Sequence, residues 1–146
     1  MMLQQLSLFL ENKPGHLSSA CRTLGEFGID ILTLSLADTQ QFGILRLIVQ
    51  DPVSAKAKLE AAGYTVRLTE VVAVEIEDRP GGLADLLTLL NDRGLNVEYM
   101  YAFSYRSRGR ALMIFRFDDT RKGCDVLIES GAKVLPEREV LALIQN

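Results

Sequence analysis

The sequence predicts an α+β fold built twice, as two βαββαβ units packed side by side in one chain. The first observation is an internal repeat. A shift of 66 positions places Glu11-Asn12-Lys13-Pro14-Gly15-His16-Leu17 on Glu77-Asp78-Arg79-Pro80-Gly81-Gly82-Leu83. At the same shift Leu24 meets Leu90, Gly28-Ile29-Asp30-Ile31 meets Gly94-Leu95-Asn96-Val97, Gly43 meets Gly109 and Ile48 meets Ile114. The second observation is that hydrophobic periodicity changes in the same order within each copy, from period two to helical spacing and back.

Leu6, Leu8 and Leu10, like Val72, Val74 and Ile76, recur at every second residue and mark a first strand. Leu17, Ala20, Cys21, Leu24 and Phe27, and likewise Leu83, Leu86, Leu87 and Leu90, follow the three-and-four spacing of an amphipathic helix. Pro14 and Pro80 suit a first helical turn, where a missing N–H costs nothing, and Gly28 and Gly94 suit a left-handed stop. Each helix is then about 13 residues long by this pattern. Two apolar strands follow, joined by turns at Gln40-Gln41-Phe42-Gly43 and Arg106-Ser107-Arg108-Gly109. A second helix covers Val53 to Ala62 in one copy and Thr120 to Ser130 in the other, and a fourth strand closes each unit. That order is the ferredoxin-like split βαβ arrangement.

Past the third strand the register slips by two, so that Gly63 and Val66 match Gly131 and Val134. The slip predicts an insertion near Asp118-Asp119-Thr120. The domain boundary falls near Glu70, giving domains 1–70 and 71–146 with no Pro- or Gly-rich linker between them. At the C-terminus Pro136-Glu137-Arg138-Glu139 before Val140-Leu141-Leu143-Ile144 predicts a short terminal helix. Both faces of the third strands are apolar, with Leu45, Leu47 and Val49 against Ile44 and Ile48, and Met113, Phe115 and Phe117 against Leu112 and Ile114. Helices cover only one face of such a sheet, so the second face predicts contact with another sheet or subunit, and a homodimer.

The composition narrows the function. At 48% hydrophobic and 24% charged residues the chain supports a packed core. A net charge of −3 argues against nucleic acid, whose binding depends on basic side chains. The run Leu6 to Leu10 is too short for a signal peptide's core and lacks a basic segment before it, and no stretch approaches the roughly 20 apolar residues of a membrane span. A cytoplasmic protein is expected. Cys21 and Cys124 lack C-x-x-C spacing and a histidine cluster, so neither a metal nor a cofactor is expected and both cysteines read as packing residues. The one histidine, His16, falls where the second copy has Gly82, and no nucleophile elbow, phosphate loop or zinc-protease motif appears. The chain reads as no enzyme.

The repeated Asn/Asp-Lys/Arg-Pro-Gly element sits between first strand and first helix, where unpaired amides and the helix dipole favour an anion. Gly15, Gly81 and Gly82 let a ligand approach that backbone closely. The plainer reading makes Asn12 and Asp78 helix caps and the Pro-Gly pairs punctuation. A strand, then Asp/Asn-x-Pro-Gly-x-Leu, a helix ending in Gly, and Ile/Leu-Asn/Asp-Ile/Val together resemble the ACT domain, in both copies and hence over nearly the whole chain. The resemblance implies a regulatory module that binds an amino acid at the interface of paired domains. By position it implies ligand contacts from Asn12, Gly15, His16 and Leu17 with Asp30, and from Asp78, Gly81, Gly82 and Leu83 with Asn96. Polar side chains would hold the ammonium group and loop amides the carboxylate. The sequence leaves no room for a catalytic domain, so any regulated enzyme would be a separate polypeptide. The second loop, with two glycines and a charged Asp78, is expected to be the better site.

An alternative is an RNA-binding βαββαβ module, since Tyr99, Tyr101, Phe103 and Tyr105 form a period-two stripe beside Arg106, Arg108 and Arg110. The first copy has Thr33, Ser35, Ala37 and Thr39 there, and the RNA-recognition signature is missing. A metal chaperone of this fold would place two cysteines in the first loop, and neither Cys21 nor Cys124 lies there.

Overall fold

The computed structural model describes residues 2–38, 41–107 and 109–143, with backbone alone at 104–107. Turn residues Gln40 and Arg108, the side chains of Tyr105 and Arg106, and Ile144 lie outside the described residues. The chain divides into two compact units, Gln4–Thr69 and Glu70–Asn146 with Met1–Leu3.

The Gln4–Thr69 unit holds β1 (Leu3–Glu11), α1 (His16–Glu26), β2 (Ile31–Asp38), β3 (Phe42–Val49), α2 (Pro52–Ala61) and the first part of β4 (Thr65–Glu77). Its strands run in the order β2-β3-β1-β4. Leu6 lies opposite Leu47 and Leu8 opposite Leu45 in the antiparallel β1–β3 pair, so these leucines share one face. On that face Leu6, Leu8, Leu45 and Leu47 pack with Ala20 and Leu24 of α1 and Ala55 and Leu59 of α2. Truncating any of these leucines to alanine costs about 2–5 kcal/mol.

The other unit continues β4 and adds α3 (Gly82–Asp92), β5 (Val97–Ser107), β6 (Arg110–Phe117), α4 (Thr120–Glu129), β7 (Lys133–Leu135) and α5 (Glu137–Ala142). Strand β4 pairs with β6 and with β7, and β5 lies outside β6. The helix-side core gathers Val72, Val74, Leu86, Leu90, Met113, Phe115, Phe117, Val126 and Leu127, with Phe115 and Phe117 stacked at 5.6 Å. Two ferredoxin-like units are therefore present, and α5 is the terminal helix that Pro136 and its acidic turn predict. Beyond these clusters, Ile48 and Ile114 are fully buried on the face away from the helices.

Three local expectations change. The helices α1 and α3 have 11 residues and begin after Gly15 and Gly81, so Pro14 and Pro80 precede the helix instead of occupying its first turn. The two-residue insertion lies in the second hairpin, not at Asp118. Leu45 faces Leu8 and Leu36, while Met113 faces Val74 and Ala102, so the offset between copies is already 68 in the third strand. The β5–β6 register shifts between Phe103 and Ser107, where the added residues are absorbed. Finally, Cys21 is exposed on α1, whereas Cys124 is half-buried. No helix among the described residues is long and apolar enough to cross a membrane.

Candidate functional site

The two β–α loops have one backbone design. Lys13 N–H donates to Glu11 O at 2.8 Å and Arg79 N–H to Glu77 O at 3.0 Å, making a tight turn before each proline. The chain then passes through Gly15 at φ 90° and Gly81 at φ 88°, left-handed conformations that an L side chain enters only with strain. From there Ser19 N–H donates to Gly15 O and Asp85 N–H to Gly81 O, and the helices are under way. No side chain caps α1 or α3. Asn12 and Asp78 are therefore not helix caps. Their side chains are exposed, and their backbone amides bond Gln41 O and Gly109 O in the neighbouring hairpins.

Around this shared backbone the side chains differ. In the first loop Lys13 pairs with Glu11 at 2.9 Å, and His16, Leu10, Ser19 and Tyr64 line a small cavity of about 190 Å³. The Tyr64 hydroxyl lies 3.4 Å from Ser19 Oγ and 3.3 Å from Thr23 Oγ1, which fixes the wall of that cavity. In the second loop Arg79 bonds Glu77 at 2.5 Å, Asp85 at 2.7 Å and Pro80 O at 3.2 Å, so its guanidinium bridges the loop to the first turn of α3. The hydrogen bond from Lys13, with its charge, holds the Glu11 carboxyl below its ordinary range, and Arg79 does the same to Glu77.

Gly82 does not leave room for a ligand, as its sequence position suggests. A Cβ there would meet Glu77 O within van der Waals contact, because the incoming strand already occupies the space. The second glycine serves the loop's own packing, and what separates the two loops is His16 with its cavity against Arg79 with its carboxylates.

Within a unit the structure does not gather all the candidate residues. Asn12, Gly15, His16 and Leu17 stand at the start of α1, and Asp30 follows its far end, about 16 Å away for an 11-residue helix. Asp30 instead lines a second cavity of about 220 Å³ with Phe27, Gln50, Ser54 and Lys58. Asp78, Gly81, Gly82 and Leu83 are separated from Asn96 in the same way, and Asn96 N–H donates to the Asp118 carboxylate at 3.2 Å. Among the described residues no cluster of His, Cys, Asp and Glu is arranged to hold a metal. Of the aromatic stripe, Phe103 is only 5% exposed, which withdraws it from base stacking. Another cavity, on the flank of α4, has no motif that could have pointed to it, because its lining is spread over four chain segments.

No curated protein matches the chain. Among solved structures, protein BT0572 from Bacteroides thetaiotaomicron is 34% identical, with 97% of this chain and 96% of that one aligned at a TM-score of 0.87. The ligand-free regulatory subunit of aspartate kinase from Thermus thermophilus aligns over 88% of this chain and 93% of its own at 17% identity and a TM-score of 0.61. That from Thermus flavus aligns over 99% and 92% at 16% identity, again with a TM-score of 0.61. These two likenesses speak to the fold. The model of the ACT domain pair matches residues 1–144, and the chain belongs to that family.

Proposed function

We propose that this chain is a non-catalytic regulatory protein of the cytoplasm that binds an amino acid at its β–α loops and modulates a separate enzyme. The observation that carries the reading is the duplicated left-handed-glycine loop, which opens α1 and α3 without a side-chain cap and beside exposed Asn12 and Asp78. Amides and helix dipole suit a carboxylate, and Asn12 or Asp78 suits an ammonium group. Ligand groups at Asp30 and Asn96 would then come from a different domain than the loop they serve. His16, Ser19 and Tyr64 make the first loop the stronger candidate, since its cavity accepts a small side chain while Arg79 bridges the second loop. A homodimer completes the reading. Edge strand β2 exposes Leu34 and Leu36, 50% and 48% accessible, and a second copy would cover them. A thermal-shift screen of the twenty amino acids tests the function. At about 100 times its dissociation constant the cognate ligand adds roughly 2.7 kcal/mol of stability. A flat response to all twenty defeats the proposal.

A further inference from the structure

A cavity of about 330 Å³ lies in the unit that contains Glu70–Asn146, and no residue of either β–α loop lines it. Its wall is apolar, formed by Leu3, Val71, Val72, Val134 and Leu135 with Ile128, which is 58% exposed. Polar groups converge at one point only of that lining: Arg121 Nη2 meets the two Glu70 carboxylate oxygens at 3.0 and 3.4 Å. The volume falls in the range of small-molecule sites, and an apolar pocket with a few convergent polar groups is the usual form of one.

The repeat supplies an internal control. Helices α2 and α4 correspond with an offset of 68, their N-caps being Asp51 and Asp119. The positions of Arg121, Cys124 and Ile128 are therefore held in α2 by Val53, Lys56 and Glu60. There Lys56 and Glu60 form an ion pair at 2.9 Å along the helix flank, an ordinary solvated surface. One copy has thus exchanged a charged flank for an apolar opening with a cation and an anion at its rim.

We propose that this opening is a second ligand site, for an α-amino acid with an apolar side chain. The rim pair is the complement of a zwitterion. The ligand's carboxylate replaces Glu70 on Arg121, its ammonium replaces Arg121 on Glu70, and its side chain enters the apolar wall. The exchange costs little, because Arg121 is 79% exposed and an ion pair so open to solvent contributes little to stability. A simple carboxylate or amine satisfies one rim charge and strands the other. This site stands apart from the loop reading.

Cys124 lines the cavity and reports on it, in the full chain carrying Cys21→Ser so that the exposed thiol does not interfere. The measurement is the rate of Cys124 alkylation by N-ethylmaleimide, followed by mass spectrometry. The probes are leucine, methionine and phenylalanine, with 4-methylpentanoate and 3-methylbutylamine as the leucine skeleton lacking one charge. At about nine times its dissociation constant, a protecting amino acid slows alkylation about tenfold. The charge-deficient compounds at equal concentration slow it less than about twofold. Arg121→Gln and Glu70→Gln each abolish protection, and His16→Ala retains it. The inference is overturned if none of the three amino acids protects, if the single-charge compounds protect equally, or if Arg121→Gln remains protected. Loss of protection in His16→Ala alone also overturns it, by assigning the effect to the loop and leaving the loop reading intact.

Discussion

Glycine and charge decide the loops at the level of single residues, and for different reasons in each copy. Gly82→Ala forces a methyl group against Glu77 O, an overpacking that costs about 1–3 kcal/mol, whereas His16→Ala at the equivalent position of the first copy meets no such obstacle. Urea denaturation of the two variants should show the larger loss for Gly82→Ala; equal midpoints would mean that the loop relaxes freely. The acid dependence of the second loop follows from Arg79. Because Glu77 is held below its ordinary range, its favourable pairing is present above that range and fades as the pH falls through the lowered value. In Arg79→Gln the Glu77 titration midpoint, followed by NMR, should rise toward that of a free carboxylate. An unmoved midpoint would contradict the bridge. The loop residues were legible in the sequence as a motif, down to the pairing of His16 with Gly82. The role of Gly82 was not, since the carbonyl that fills its space belongs to a strand end and no periodicity reports such a contact.

At the scale of elements, period-two and helical patterns located the strands and helices, because each buries one face against a single core. The hairpin insertion escaped this reading. Apolar residues occupy both faces of β3 and β6, so a two-residue slip leaves the hydrophobic pattern intact, and only pairing partners such as Met113 and Val74 reveal it. Strand β2 raises the question of assembly. An uncovered edge with two half-exposed leucines is a template for pairing, and a charge there blocks it. Analytical ultracentrifugation should find a dimer in the wild type and a folded monomer in the Leu34→Lys, Leu36→Lys variant. A wild type that sediments as a monomer throughout the micromolar range contradicts the dimer.

For the whole molecule, duplication made the fold readable: a motif that is weak once becomes specific when the same helix, turn and strand follow it twice. The ligand was less legible, because Asp30 and Asn96 lie a helix length from the loops of their own units, and the cavity beside Glu70 and Arg121 is assembled from segments far apart in sequence. The central claim is that amino-acid recognition belongs to the β–α loops. Asn12→Ala and Asp78→Ala test it cleanly, since neither side chain caps a helix or is buried. The decisive measurement is made in Arg121→Gln, which silences the cavity beside Glu70: calorimetric titration of the amino acid that thermal shift identifies in that background into the otherwise wild-type chain, each single variant and the double variant. Losing a charge-assisted or neutral hydrogen bond to the ammonium group weakens binding by about 1–3 kcal/mol, roughly 5- to 150-fold, and the double variant should show no measurable heat of binding. Binding of wild-type strength in the double variant would contradict the account.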